Sequence, residues 1–146
     1  MAFEPDIVVT GPEGSEIALV VEAKMNFRRL EDSERQLKRF MTAMGAPVGA
    51  LVTPDRLWLY RDEYLSWRED SITRVGEFDV RNIFHFKPSG ASSELEFERT
   101  VQAWIERLPK ESSLRELPPD LRAAAQMYIV PAVSQGEVRA GHPRSA

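Results

Sequence analysis

The chain has no cysteine among its 146 residues. That removes disulfides, thiolate zinc ligands and thiol nucleophiles together, and it fits a reducing compartment. Histidine is nearly as scarce. Only His85 and His142 occur, far apart in the chain, so a histidine-rich metal site is excluded. His85, between Phe84 and Phe86, reads as a structural histidine, and His142 lies in the C-terminal tail. The longest unbroken apolar run, Ile17 to Val21, falls far short of the ~20 residues a membrane-spanning helix needs. The N-terminal Met-Ala-Phe-Glu-Pro-Asp lacks the basic and apolar regions of a secretory signal. A soluble, cytoplasmic protein is expected. There is also no Gly-x-Ser-x-Gly, no phosphate loop ending in Gly-Lys-Ser/Thr and no Gly-x-Gly-x-x-Gly, so the commonest hydrolase and nucleotide-binding signatures are missing.

What is present is an ordinary globular composition. Hydrophobic residues make up 42%, charged residues 29% and aromatics 9%, values that argue against disorder, collagen-like repeats and coiled coil. The length suits one domain with one modest core. Residues 1–130 carry the patterned sequence. From Pro131 the composition turns to Gly, Ser, Pro and Arg, which predicts a flexible or loosely docked tail over 131–146.

Ile7-Val8-Val9-Thr10 and the run from Glu16 to Ala23 flank Gly11-Pro12-Glu13-Gly14-Ser15, the pattern of an antiparallel hairpin. On the second strand Ala18, Val20, Glu22 and Lys24 share one face and Leu19, Val21 and Ala23 the other. Ser33-Glu34-Arg35-Gln36 has capping-box spacing. Leu37, Phe40, Met41 and Met44 follow at helical intervals before Gly45, predicting a helix over 34–44. Val48–Thr53 reads as a buried strand, Pro54-Asp55 as a turn, Arg56–Arg61 as the next strand, and a further strand is expected near 72–78. Helices are predicted from Ser92/Ser93 through Leu108 and from Pro118 to about Tyr128. The order β-β-α-β-β-β-α-α indicates a mixed α/β (α+β) layer fold, a central sheet flanked by helices.

Charge is unevenly spread. The net charge is −4, yet the window from Lys24 to Arg39 holds six basic residues (Lys24, Arg28, Arg29, Arg35, Lys38, Arg39) against Glu31, Asp32 and Glu34. Such a patch can meet phosphates on an otherwise acidic protein. It also fits a solvated helix face with pairs such as Glu31–Arg35 and Glu34–Lys38.

The hairpin concentrates the remaining chemistry. Pro5-Asp6 opens the first strand and Glu22-Ala23-Lys24 closes the second, so the three charged residues come together at one end. If Thr10 pairs with Glu16, Asp6 stands opposite Val20, on the face that carries Glu22 and Lys24, with Glu22 one diagonal step away, about 7–8 Å between Cα atoms. Two carboxylates across that gap can hold a divalent metal, and Lys24 would point into the same space. Opposite charges at the end of an apolar strand are costly unless paired or bound to something. A rim ion pair is the plainer alternative. Pro54-Asp55, the other such dipeptide, has no Glu-x-Lys after it.

Pro5-Asp6, the hairpin and Glu22-Ala23-Lys24 resemble the PD-(D/E)XK nuclease superfamily, the restriction-endonuclease-like fold. Gln36-Leu37-Lys38-Arg39-Phe40 is similar to the Q-x-x-x-Y helix motif of several of its branches, with Phe in place of Tyr. Gly45–Thr53 and Arg56–Tyr60 are similar to the strands that follow. The pattern is most like the N-terminal nuclease domain of type I restriction R subunits and covers about residues 4–61. The resemblance implies a magnesium- (or manganese-) dependent endonuclease acting on DNA. Asp6 and Glu22 would bind the metal, Lys24 would assist the attacking water, and Gln36 would steady the site. Arg28, Arg29, Arg35, Lys38 and Arg39 would contact backbone phosphates. A homodimer or a partner subunit is a further implication.

The family also commonly carries an acid on a helix ahead of the Pro-Asp strand. Here Glu4 is the only acid before Asp6, and the expected fold lacks that N-terminal helix. The resemblance therefore leaves open a reduced metal shell, a site completed by a partner, or an inactive nuclease-fold module that binds nucleic acid or protein. A plain structural or assembly module, with Trp58, Tyr60, Tyr64 and Trp67 at an interface, is the reading of a different class.

Overall fold

The computed structural model describes residues 3–88 and 90–142. Six strands, β1 (Ile7–Thr10), β2 (Ile17–Ala23), β3 (Val48–Val52), β4 (Arg56–Asp62), β5 (Ile72–Asp79) and β6 (Glu137–Ala140), form one sheet in the order β5-β4-β3-β2-β1-β6. Only β2 and β3 run parallel; the other neighbours are antiparallel. The helices are α1 (Leu30–Met44), α2 (Arg81–Phe84), α3 (Ser93–Arg107), α4 (Glu111–Arg115), α5 (Pro119–Ala124) and α6 (Val130–Ser134), with a π-helical segment, Ala125–Ile129, joining the last two. This is a mixed α/β fold whose sheet is flanked by helices. No helix among the described residues is long and apolar enough to cross a membrane.

The central strands are apolar on consecutive positions because both faces of the sheet are covered. On one face α1 lays Leu37 and Met41 against Val20, Leu51, Trp58, Tyr60 and Ile72. On the other, Leu19, Val21, Ala23, Leu57 and Leu59 pack under Phe97, Val101, Ile105 and the helices that follow. Trp58 and Tyr60 are therefore core residues, whereas Tyr64 and Trp67 are exposed.

Three expectations need correction. The helix expected over 34–44 begins one turn earlier, at Leu30, and Ser33 is not its cap: Arg29 flanks the helix without a side-chain cap bond. Leu30 packs on the α1-side core, and Glu31 and Asp32 place acid in the first turn, where the helix dipole favours it. The helix from Pro118 does not stop near Tyr128 but continues to Ser134 through the π-helical segment. Pro131 has no N–H to donate, and the widened turn ahead of it accommodates that loss. Residues 131–142 are not a loose tail. They finish α6 and form β6, which pairs along the whole of β1; residues 143–146 lie outside the described residues.

Close backbone approach seats β6, and glycine permits it. A Cβ at Gly136 would lie 2.3 Å from the Thr10 carbonyl oxygen and 2.9 Å from that of Ala132. Gly136→Ala is therefore expected to cost about 1–3 kcal/mol through overpacking, read as a lower midpoint in urea. Faster hydrogen exchange confined to β1 and β6 would accompany it; an unchanged midpoint would contradict this packing.

Candidate functional site

The hairpin brings Asp6, Glu22 and Lys24 together, but by a different register from the expected one. Ile7 pairs with Val21 and Val8 with Val20, so Asp6 comes beside Glu22 instead of Val20. The difference is two residues, and a shift of two preserves the face on which a side chain projects. At the loop end Thr10 pairs with Ile17, and the register shifts before Val9 meets Leu19. Ala18 is the extra residue of this bulge. Without it the Thr10–Ile17 pairing would run on to put Asp6 across from Val21, with Glu22 on the opposite face. One bulged residue thus decides whether the carboxylates meet.

Asp6 is the centre of the cluster and is buried. Its backbone N–H donates to the Val21 carbonyl at 3.1 Å. Its Oδ2 accepts from the Ala23 N–H at 2.8 Å, and its Oδ1 accepts from Lys24 Nζ at 3.2 Å. Lys24 Nζ also lies 3.4 Å from Glu22 Oε1, so the ammonium bridges two acids. The Lys24 N–H is fixed by the Val52 carbonyl at 3.0 Å, which ties this strand end to β3.

Two residues outside the sequence-predicted set complete the cluster. Glu98, on α3, and His142, just beyond β6, have ligand-type atoms that lie with those of Asp6 within 4.8 Å of one another. His142 Nε2 stands 3.1 Å from Asp6 Oδ1. Glu98 had a legible signal: it sits three residues before Val101 and seven before Ile105, a charge within the buried stripe of α3. His142 had none, because nothing in Glu137-Val-Arg-Ala announces a strand that would dock on β1.

Among the described residues, Asp6, Glu22, Glu98 and Lys24 make the pocket electrostatically loaded. Burial, and then repulsion from Asp6, push the Glu22 carboxyl from 4.5 up to about 7, with Lys24 opposing. Burial, followed by a hydrogen bond to Asp6, raises Glu98 to about 7 as well. Burial works against the Lys24 ammonium, but attraction to Asp6 and Glu22 outweighs it and holds its pKa above the usual lysine value.

The remaining sequence-predicted residues are dispersed. Gln36 is exposed on α1, and among the described residues no hydrogen bond links it to the cluster. Phe40, in the position of the motif's tyrosine, packs on Phe3 with ring centroids 5.3 Å apart. Arg28 and Arg29 are exposed in the segment before α1, and Arg29 lies 3.9 Å from Asp32. Arg35 pairs with Asp32 and Arg39 with Glu69, each at 3.3 Å, while Lys38 lies over the Tyr60 ring. Acids on and near α1 thus offset part of the basic window. His85, read as a structural histidine, is exposed and ends α2 in a left-handed conformation.

Beside the cluster, starting one residue after Lys24, is a groove of about 370 Å³ lined by Met25, Asn26, Phe27, Trp58, Arg56 and Arg81, among others. It supplies aromatic surface and two guanidinium groups at the same end of the sheet. Comparison with family models, curated proteins and solved structures finds no match to this chain.

A carboxyl raised by folding binds its proton more tightly in the native state. It stabilises the fold fully below its ordinary pKa and loses that contribution as pH rises through the native value. For Glu22 that window runs from 4.5 to about 7. The melting temperature of the cation-free protein is expected to fall between these limits, and Glu22→Gln to flatten the fall and gain on wild type above pH 7. Parallel pH profiles for the two proteins would contradict the clustering.

Proposed function

We propose that this protein is a metal-dependent phosphodiesterase acting on DNA, an endonuclease of the restriction-endonuclease-like, PD-(D/E)XK kind. The observation that carries this reading is the meeting of Asp6, Glu22 and Lys24 at one end of the sheet, with Lys24 Nζ within 3.4 Å of both acids. The parallel β2–β3 pair, connected through α1, is in keeping with it. So is Glu98, which approaches Asp6 from α3 and offers a further acid beside it.

The donor chemistry fits a divalent cation of the Mg²⁺ or Mn²⁺ kind. Asp6 and Glu22 offer hard oxygen ligands side by side at one strand end, the ligand type that such cations take. When bound, such a cation supplies Lewis-acid polarisation of the phosphate and a more acidic attacking water. Asp6 is pre-oriented by the Ala23 amide, so it needs little rearrangement to act as a ligand. Lys24, fixed between the two acids, orients the water or stabilises charge gathering on the phosphoryl oxygens. Arg28 and Arg29, exposed ahead of α1, and Arg56 and Arg81 at the groove would hold backbone phosphates. Arg35, Lys38 and Arg39 extend the track along α1.

A second reading, a catalytically inactive module of the same fold that binds nucleic acid or a protein partner, is favoured by Gln36 standing apart from the cluster and by Phe40 lacking a hydroxyl. A partner subunit or second copy is compatible with both readings.

In a plasmid-nicking assay with Mg²⁺ or Mn²⁺, the full chain is expected to cleave, and Lys24→Ala to lose about 10²–10³-fold in rate while still binding DNA. Charge reversal at Arg35 and Arg39 should instead weaken binding and flatten the dependence of log affinity on log salt, by about one unit for each phosphate no longer neutralised. DNA binding without cleavage by the wild-type chain would select the second reading. Cleavage undiminished in Lys24→Ala would overturn the first.

A further inference from the structure

We infer that Glu98 and His142 join Asp6 and Glu22 around the cation in a mixed oxygen and nitrogen shell, so that the site favours a first-row transition cation of the Mn²⁺ type over Mg²⁺. The inference rests on the metal-dependent reading above and names the cation class that the site selects. The donor atoms of Asp6, Glu98 and His142 lie within 4.8 Å of one another. Two donors at about 2.1 Å from one ion are about 3–4 Å apart, so only a small contraction closes the shell. The three come from separate parts of the chain: the start of β1, the middle of α3 and the turn after β6. Asp6 is 1% exposed and Glu98 5%, whereas the His142 side chain is 25% exposed. The imidazole thus forms the solvent-facing side, by which an ion can enter.

His142 is delivered there by built backbone contacts. The Gly141 N–H donates to the Asp6 carbonyl at 2.9 Å. A Cβ at position 141 would fall 2.1 Å from the Pro5 carbonyl oxygen, so only glycine allows the chain to lie this close. The residue after that glycine is held beside Asp6 Oδ1, at 3.1 Å. Lys24 Nζ meets the same Asp6 oxygen at 3.2 Å and bridges to Glu22, while the Ala23 N–H holds Oδ2. An imidazole nitrogen is a poor partner for Mg²⁺, which keeps to oxygen ligands and water. Mn²⁺ and its first-row neighbours accept carboxylate and imidazole together.

Calorimetric titration of the full chain with Mn²⁺ and with Mg²⁺ tests this, alongside His142→Ala and Glu98→Gln. Wild type should bind Mn²⁺ more tightly by on the order of tenfold, His142→Ala should lose most of that preference, and Glu98→Gln should weaken both cations on the order of tenfold or more. Pulsed electron paramagnetic resonance of the Mn²⁺ complex should show nitrogen coupling in wild type and none in His142→Ala. His142 lies outside the core, and matching urea midpoints will show that its variant is folded. Equal affinity for both cations, with no nitrogen coupling and no effect of His142→Ala, would overturn this inference and leave the metal-dependent reading standing. Failure of wild type to bind either cation would overturn both.

Discussion

The balance of charge around Asp6 is the constraint on which the site depends. Glu22, Glu98 and His142 all approach this buried carboxylate, and Lys24 is the one ammonium among them. Removing three acids from water together is expensive, and among the described residues Lys24 offsets part of that cost. The fold meets part of that cost by keeping protons on Glu22 and Glu98 up to about pH 7, and part by orienting Asp6 with the Ala23 amide. Raised carboxyls of this kind would release protons on binding a cation, in keeping with the proposed metal site.

The architecture serves that convergence. Asp6 and the β2 end reach the same edge because β1 and β2 form a hairpin, and the Ala18 bulge brings the acids onto one side. α1 leaves β2 and returns as β3, whose Val52 carbonyl fixes the Lys24 backbone. The C-terminal segment closes the arrangement from the other side: β6 lines β1, Gly141 rests on Pro5, and α3 presents Glu98 from within its buried face. Residues near both ends of the described chain thus share one candidate site, an arrangement that makes β6 part of that site as well as of the sheet.

The basic window changes meaning in three dimensions. As text it is a cluster of six cations; in the fold Asp32 and Glu69 neutralise Arg35 and Arg39, and Lys38 covers Tyr60. Exposed ion pairs of this kind are weak, so these arginines can exchange carboxylate for phosphate at small cost. Arg56 and Arg81, which are inconspicuous in the sequence, gain importance from lining the groove next to Lys24.

Local pattern was sufficient for the strands β1 to β5, for α3 and for the pairing of Asp6 with Glu22 and Lys24. Period-two and period-3.6 burial, glycine and proline breaks, and strand parity act over a few residues. Even the misjudged hairpin register kept its functional consequence, since an error of two leaves parity intact. What local pattern did not settle was the true start of α1, whose first turn is secured by Leu30 packing on a distant core, and the fate of residues 131–142, whose short strand has little to bury until β1 offers its edge. Glu98 was visible only as a misplaced charge and His142 not at all. Both become site residues through contacts made across most of the chain's length, and such contacts depend on backbones meeting at glycines and helices docking on a finished sheet, which no window of neighbouring residues encodes.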